Sequence, residues 1–334
     1  MKLPRRTFLH LAAGAVVLAL VATIAGLSNA NAQQYPLRPI IMIVPASAGG
    51  PTDSIGRILA QGMQATLGQN VVIENVAGAT GTIGTGRVVR ATPDGYTIGL
   101  GGWNHYVVNG AVFTLQYHLL NDFAPVSLIC AGPQLILSKK DIPANNLQEL
   151  IAWMKARPEG VTFGTGGVGG PGHVSGLAFE KLVGTKFVYV PHRGSAPATQ
   201  NLVAGQLDIS IDQPSGAISQ VRGGLIKAYA VTAKARLASA PDIPTTDEAG
   251  LPGFHVSIWH GLWVPKATPR DIIAKLNAAV VDALADATVR SKLADLGQGI
   301  FPRDQQTPEA HGAYHKAEIE KWWPIIKAAG IKVE

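Results

Sequence analysis

The sequence predicts an α/β protein made of two doubly wound α/β domains with a ligand cleft between them. From Ile40 onward, apolar runs of strand length alternate with helix-like segments, which is typical of doubly wound domains with largely parallel sheets. The same succession of units starts again in the second half of the chain. Each half also carries a glycine-rich loop directly after a strand and directly before a helix. We expect these two loops to face each other across the cleft.

The first half opens with a predicted buried strand over 40–44 and a helix over 53–67. Ile55 and Met63 fall on one face of this helix, and Gly68 ends it. A second strand over 71–76, a further helix, a turn over 93–96 and a third strand over 97–100 complete this part of the chain.

The second half repeats the pattern from a strand over 136–138 onward. Asn146, with Glu149 three residues later, predicts the start of a helix that runs through Lys155. Further strands are predicted over 161–163, 187–190, 207–211 and 226–231, with helices between them, and an apolar run covers 258–264.

Three helices are predicted near the C-terminal end, over 269–284, 288–296 and 308–329. They have no strands of their own to cover, so we expect the chain to return and pack them on the first domain. The sequence therefore predicts a discontinuous first domain over 33–134 and 259–334, with the second domain over 135–258 inserted in it.

The first 32 residues have the form of a secretory signal peptide. Basic residues at Lys2, Arg5 and Arg6 precede an apolar run, and a small-x-small site ends at Ala32. We expect cleavage after about Ala32 and a periplasmic location, and a retained anchor is the less favoured alternative. The segment over 5–9 also resembles a twin-arginine signal, which leaves both export routes open.

Composition excludes several partners. The net charge is +6, and the three basic residues of the leader account for half of it. No run of Lys and Arg with interleaved aromatic residues occurs, so no nucleic-acid partner is expected. Cys130 is the only cysteine, and its apolar surroundings predict a buried, inert thiol and exclude an intramolecular disulfide.

Metal binding and cofactors are not expected either. The nine histidines are scattered, and only His311 and His315 have ligand-pair spacing. These two lie on an amphipathic C-terminal helix, where a solvated face is the favoured interpretation.

The two glycine-rich loops cover 45–53 and 164–173, and both contain Gly-Gly-Pro just before the helix. Glycine lets the backbone approach a ligand, and proline removes an N–H that would be unpaired in the first turn. The remaining N–H groups and the positive helix end then form an anion site. One such loop in each domain predicts a carboxylate bound from two sides.

Two classes of enzyme are the alternatives to this interpretation. The segment over 164–169 satisfies G-x-G-x-x-G, but no acidic residue follows the next strand, and only Arg193 would suit a 2′-phosphate, so a dinucleotide enzyme is disfavoured. Ser47 lies at a strand-to-helix turn, which leaves a serine hydrolase open, but no G-x-S-x-G motif and no base partner are evident.

The chain from about Gln33 onward resembles the tripartite tricarboxylate transporter receptors, also called Bug-type extracytoplasmic solute-binding proteins. The segments that carry the resemblance are 35–40, 44–53, 71–75, 93–97, 122–126, 194–198, 230–232 and 248–253. The resemblance implies a type II periplasmic binding protein-like fold without catalytic activity, cofactor or metal. It also implies a monomer that holds a small carboxylate and delivers it to integral membrane transporter subunits.

The resemblance also implies the residues of the site, which act mainly through backbone N–H groups and bridging waters. The residues carried over are Ser47, Ala48, Gly49, Gly50, Thr52 and Asp53 in the first loop, Thr165, Gly166, Gly167, Val168, Gly169 and His173 in the second, and Asp212. Asp212 has the wrong sign to contact an anion directly, so we expect it to hold water or a ligand hydroxyl or amine, or to orient its loop.

Three positions depart from the family pattern. Ala46 stands where the family often has phenylalanine, which enlarges the pocket, and Trp103 and His192 offer an aromatic wall and a donor. We therefore expect a longer aliphatic or an aromatic dicarboxylate. An exported hydrolase and a sensory or partner-binding protein of the same fold are the alternatives.

Overall fold

The computed structural model describes residues 35–157 and 160–328, and the predicted leader lies outside this range. Two β-sheets form the centres of two halves of the molecule. The strands are β1 (Ile40–Val44), β2 (Val71–Asn75), β3 (Thr97–Gly102), β4 (Phe123–Pro133), β5 (Leu135–Lys139), β6 (Val161–Thr165), β7 (Phe187–Pro191), β8 (Ile209–Asp212), β9 (Ile226–Val231), β10 (Ser257–Pro265) and β11 (Gly299–Ile300).

The α-helices cover the faces of these sheets. They are α1 (Pro51–Leu67), α2 (Thr82–Val89), α3 (Asn109–Val112), α4 (Leu147–Lys155), α5 (Pro171–Val183), α6 (Ser195–Val203), α7 (Pro214–Arg222), α8 (Arg270–Ala285), α9 (Ala287–Asp295) and α10 (Pro308–Ala328). A π-helical turn over Asn104–Val108 leads into α3, and single 3₁₀ turns lie at Ala79–Gly81 and Arg303–Gln305. Within the described residues, none of the helices has the length and apolar character needed to cross a membrane.

The first sheet has the order β11-β4-β10-β3-β1-β2. β1 pairs in parallel with both β2 and β3, whereas β10 pairs antiparallel with β3 and β4. The second sheet has the order β7-β6-β8-β5-β9, in which β6 is parallel to β7 and β8, and β5 is antiparallel to β8 and β9. The α/β class is confirmed, but each sheet is mixed. In the first sheet β10 and the short β11 run against the other strands, and in the second sheet β5 does.

Two crossing segments join the halves. β4 runs into β5 with only Gln134 between them, and the chain returns through Val256 into β10. Thr232 links the two crossings: its N–H donates to the Gln134 carbonyl at 2.9 Å, and its hydroxyl donates to the Val256 carbonyl at 2.8 Å. Gln134 and Thr232 are both buried. The halves are therefore joined by hydrogen-bonded strands and not by a flexible linker.

Both faces of the first sheet are covered by helices. On one face α1 packs with α8, through Leu59 and Met63 in the same core cluster as Leu276 and Val280. This pairing follows from the apolar stripe predicted for α1, which begins two residues earlier than expected because Pro51 suits the first helical turn. The terminal helices thus lie on the first sheet.

The interpretation of His311 and His315 as a solvated helix face was wrong. Both side chains are buried, on the face of α10 that packs on β4. Their rings lie against Trp263, and the His315 imidazole contacts the Tyr106 carbonyl at 2.6 Å. The apolar body of the imidazole ring suits this aromatic layer, and burial lowers the pKa of both rings so that they stay neutral.

The interpretation of Cys130 as a buried thiol is confirmed. It lies in the middle of β4, fully enclosed beside β10 and β11. Burial raises the pKa of the thiol far above its ordinary value. The group therefore behaves as a small apolar side chain.

Candidate ligand-binding site

A cavity of about 270 Å³ lies between the two halves. It is lined by the loops that follow β1 and β2 in the first sheet and the loops that follow β6, β7 and β8 in the second. These strand ends are where an open α/β sheet exposes backbone groups and helix starts to a ligand. The π-helical turn after β3 adds Asn104 and His105 to the wall.

Five helices begin at this cavity, and none of them has a side-chain cap. The N-cap residues of α1, α2, α5, α6 and α7 all line the cavity: they are Gly50, Gly81, Gly170, Gly194 and Gln213. Away from the cavity, the caps of α4 and α9 do use side chains: Asn146 accepts from the N–H of Glu149, and Asp286 accepts from that of Val289. First-turn N–H groups without a side-chain partner, each at the positive end of a helix dipole, favour an anion.

Asp53 shapes the first loop from behind and does not line the cavity. Its carboxylate accepts hydrogen bonds from the Gly49 N–H at 2.8 Å, from Arg57 at 3.0 Å and from Asn75 at 3.0 Å. Burial by itself would raise the pKa of Asp53, but these hydrogen bonds outweigh it and lower the pKa. The loop is therefore fixed by an ionised carboxylate.

The second loop is fixed in a similar way. The His173 ring accepts from the Gly169 N–H at 3.1 Å, and the Thr165 hydroxyl accepts from the Gly167 N–H at 3.3 Å. Gly167 has a φ of 129°, which favours glycine. His173 and Thr165 thus hold the loop, while Gly166, Gly167 and Val168 line the cavity.

A third loop, between β2 and α2, closes the cavity from the first half. Thr80 lies in its 3₁₀ turn with the left-handed φ of 52°, and its hydroxyl donates to the Val168 carbonyl at 2.6 Å. Asn109 holds Thr80 in place by donating to its carbonyl at 3.0 Å. The Thr80–Val168 hydrogen bond connects the two halves directly, so the structure is a closed arrangement.

A second direct approach between the halves involves Gly194 and Ser47. A β-carbon built on Gly194 would lie 2.2 Å from the Ser47 hydroxyl oxygen, so only glycine fits at this position. The Ser47 hydroxyl oxygen is buried and has no hydrogen-bond partner among the residues that the structure describes. Among the described residues, Ser47 therefore lacks the base that a nucleophilic serine needs.

Asp212 lies at the end of β8 and lines the cavity. Its carboxylate accepts from the Gln213 N–H at 2.8 Å and from the Thr199 hydroxyl at 3.5 Å, so it orients its own loop as well. Burial raises the pKa of Asp212 to about 6, although the hydrogen bonds from Gln213, Ser195 and Thr199 work against this. At neutral pH the group is close to its titration point.

Two buried histidines lie at the cavity wall: His105 lines the cavity, and His260 stands behind Thr52. The His260 ring, on β10, lies 3.3 Å from the Thr52 hydroxyl, and the His105 ring accepts from the Gly102 N–H at 3.0 Å. Burial lowers the pKa of His105 to about 4 and that of His260 to about 3. Both rings are therefore neutral hydrogen-bonding groups.

Nine of the residues named from the sequence line the cavity: Ala46, Ser47, Gly50, Thr52, Gly166, Gly167, Val168, His192 and Asp212. The others, Ala48, Gly49, Asp53, Trp103, Thr165, Gly169 and His173, do not. Trp103 is the largest departure from expectation. Its indole is buried edge-on against Trp322, with ring centroids 4.9 Å apart, because the chain turns into the π-helical segment at this point.

Several lining residues were missed. Phe113 supplies the aromatic surface that Trp103 was expected to give, and Arg193 is the only Lys or Arg side chain among the lining residues. The loop over 77–81 was also missed, although Gly78 and Gly81 follow a strand and precede a helix, which is the signal used for the other two loops. Within the described residues, no group of three or more His, Cys, Asp or Glu side chains is placed to hold a metal ion.

Comparison with known proteins extends this description. Residues 55–331 match the family model described as "Tripartite tricarboxylate transporter family receptor". The structure of the periplasmic binding protein BugD has 38% sequence identity and a TM-score of 0.86, covering 90% of this chain and 100% of that one.

Two further solved structures contain small acids. MatC from Rhodopseudomonas palustris, with bound malate, has 38% identity and a TM-score of 0.82, covering 87% of this chain and 100% of that chain. Rpa4515 from R. palustris, with adipate, has 30% identity and a TM-score of 0.84, covering 90% of this chain and 100% of that chain.

Proposed function

The chain belongs to the tripartite tricarboxylate transporter receptor family, and from this premise we propose that it captures a small dicarboxylate between its two halves and delivers it to membrane transporter subunits. The observation that carries the proposal is the convergence of five helix starts without side-chain caps on one cavity. A carboxylate placed there accepts hydrogen bonds from both halves and stabilises the closed arrangement.

The cavity's shape and chemistry support a longer aliphatic or an aromatic dicarboxylate. Ala46 leaves space beside the first loop, and Phe113 offers an apolar surface for a hydrocarbon chain or ring. Arg193, exposed among the lining residues, is suited to a second carboxylate. The malate and adipate bound by the two R. palustris proteins are both dicarboxylates.

We further propose that the chain acts as a periplasmic monomer, exported by its first 32 residues and without catalytic activity of its own. The leader pattern and the periplasmic relative BugD support this location. The lack of a base beside Ser47 within the described residues argues against the hydrolase alternative. The domain division into 33–134 with 259–334, and 135–258, is likewise proposed, and it agrees with the division into two sheets.

Isothermal titration calorimetry with succinate, malate, adipate and terephthalate tests the proposal. We expect stoichiometric binding, with tighter binding of adipate or terephthalate than of succinate, because the longer ligands reach from the helix starts to Phe113 and Arg193. Dimethyl adipate is the matched control, since it keeps the chain but lacks both charges, and it should not bind.

Recovery of the unchanged ligand after incubation completes this test. Consumption of the acid would contradict the receptor function, and no binding of any of the four acids would contradict the ligand class. Loss of adipate uptake on deletion of the gene would separate a transport receptor from a sensory protein of the same fold, which would leave uptake unchanged.

A further inference from the structure

Thr52 and His260 form a buried pair at the wall of the cavity. Thr52 lies in the first turn of α1 and lines the cavity, and its hydroxyl oxygen is 3.3 Å from His260 Nε2. His260 is fully enclosed on β10, where it is paired with Gly102 of β3. Among the residues that the structure describes, His260 Nδ1 has no hydrogen-bond partner, and the Thr52 hydroxyl has none besides His260.

The surroundings of the ring decide which nitrogen carries its proton. A neutral imidazole has one N–H, and a proton on Nδ1 would be a buried donor without an acceptor, which is the more costly arrangement. A proton on Nε2 instead finds the Thr52 oxygen. The burial that keeps His260 neutral therefore favours Nε2–H as the donor and Thr52 as its acceptor.

The direction of this hydrogen bond determines where the Thr52 hydroxyl proton points. A hydroxyl that accepts from the ring must direct its own proton elsewhere, and Thr52 faces the cavity. We propose that His260 is a positioning residue whose Nε2–H holds the Thr52 oxygen and turns the Thr52 proton toward a carboxylate in the cavity. The inference rests on the proposed capture of dicarboxylates and adds the residue that sets the hydrogen-bond direction.

Neighbouring groups keep this arrangement in place. A β-carbon on Gly102 would lie 3.3 Å from His260 Nε2, so the ring rests closely on the backbone of β3. His105 carries its proton on the same nitrogen but gives it to the backbone: its Nδ1 accepts from the Gly102 N–H, which leaves Nε2–H near the Pro45 carbonyl. The two rings therefore differ, because only His260 gives its N–H to a side chain that faces the ligand.

Nitrogen-15 NMR of the free protein provides the first test and does not depend on any ligand. The ring nitrogens of a neutral histidine give distinct signals for the protonated and unprotonated positions, and His260→Gln identifies the signals by their loss. We expect His260 Nε2 to be protonated. An unprotonated Nε2 would overturn the inference.

Variants provide the second test, with adipate affinity as the readout. His260→Leu removes the donor and should weaken binding about tenfold, as expected for a lost hydrogen bond to a charged group. His260→Gln keeps an N–H near the position of Nε2 and should stay within about threefold of the wild type. Thr52→Val should weaken binding similarly to His260→Leu, and Thr52→Ser should not.

Combining the variants separates positioning from general damage. Because His260 acts through Thr52, His260→Leu should change affinity little in a Thr52→Val background. Full additivity of the two changes would contradict the inference. If His260→Leu fails to fold, the NMR result and the comparison of Thr52→Val with Thr52→Ser still test the inference. If adipate does not bind the wild type, the ligand class is wrong, while the protonation of His260 remains measurable.

Discussion

Asp212 is the only acidic side chain among the cavity-lining residues, and its ionisation opposes the capture of an anion. Burial places its pKa at about 6, above the ordinary value of 3.8. Below pH 6 the group takes up a proton, loses its charge and becomes a donor that a ligand carboxylate can use. The residue therefore links ligand affinity to pH in the range around neutrality.

The replacement Asp212→Asn should remove this link. A raised folded-state pKa means that the stability contributed by the protonated form is present below about pH 4 and is lost as the pH rises through 6. We therefore compare the free energy of unfolding of Asp212→Asn with that of the wild type by urea unfolding. The difference should rise in favour of the variant by roughly 1–3 kcal/mol between pH 4 and pH 7.5. The adipate affinity of the wild type should fall over the same range more steeply than that of the variant.

A stability difference that stays constant with pH would contradict this prediction. Asparagine retains an oxygen for the Gln213 N–H, so the loop should keep its shape. Comparison with the variant also subtracts the titration of the ligand, which is the same for both proteins.

Glycine positions in the site were accessible from the sequence, whereas side-chain directions were not. The loops around Gly50 and Gly167 were found because glycine and proline next to a helix start have a local meaning. Trp103 was misplaced because its direction depends on the π-helical turn that follows β3, and no sequence period signals such a turn. Phe113 reaches the cavity only through the fold of this same segment.

At the level of helices, side-chain caps divide the helix starts at the cavity from α4 and α9, although α8, which begins after Pro269 away from the cavity, also has no side-chain cap. Helices that begin at the cavity have no side-chain cap, whereas α4 and α9, away from it, have Asn146 and Asp286. A capping side chain at the cavity would occupy the N–H groups that the ligand needs. Helix stability there is thus supplied by the ligand and by packing.

The replacement Asn146→Ala tests this division. It removes the hydrogen bond to the Glu149 N–H at 2.9 Å and should lower the free energy of unfolding by about 1 kcal/mol. Adipate affinity should not change, because this cap lies outside the cavity lining. Denaturant unfolding and calorimetry on the same preparation measure both quantities, and an affinity loss above about threefold would be inconsistent with the division.

Element prediction failed where long-range pairing overrides local sequence. β4 extends over Phe123–Pro133 although it contains Pro125 and Gly132, because pairing with β10 along its length supplies the missing support. The prediction of which face of α10 is exposed failed for a similar reason. His311 and His315 look solvent-facing in isolation, but the aromatic layer formed with Trp263 encloses them.

The whole molecule depends on the approach of its halves at Gly194. A β-carbon there would overlap the Ser47 hydroxyl in the closed arrangement, and the φ of 119° also disfavours any other residue. In an open arrangement Ser47 is removed from this position. Gly194→Ala should therefore shift the population toward the open form and lower ligand affinity by at least tenfold.

Small-angle X-ray scattering with and without adipate measures this shift. The wild type should become more compact on adding ligand, and Gly194→Ala should respond much less. Gly205→Ala is the control, since Gly205 also has a positive φ but a β-carbon there meets no atom within 4 Å. Equal compaction in all three proteins would contradict the role assigned to this contact.

The division into two sheets was predictable at this scale, but the strand order was not. The sequence indicates which segments are strands, whereas the insertion of β10 between β3 and β4 depends on a return of the chain from the second half. The return itself was expected, because the terminal helices have no strands of their own to cover. The position of β10 within the sheet has no local signal, because its pairing partners lie more than a hundred residues apart.

The central position of β10 also affects the order in which the two halves can fold during synthesis. Until residues 257–265 leave the ribosome, β3 and β4 have no strand to join them, and α8 is not there to cover α1. The second half, by contrast, is complete in sequence before β10 begins. A nascent chain can thus complete its later half first, while the first sheet still waits for its central strand.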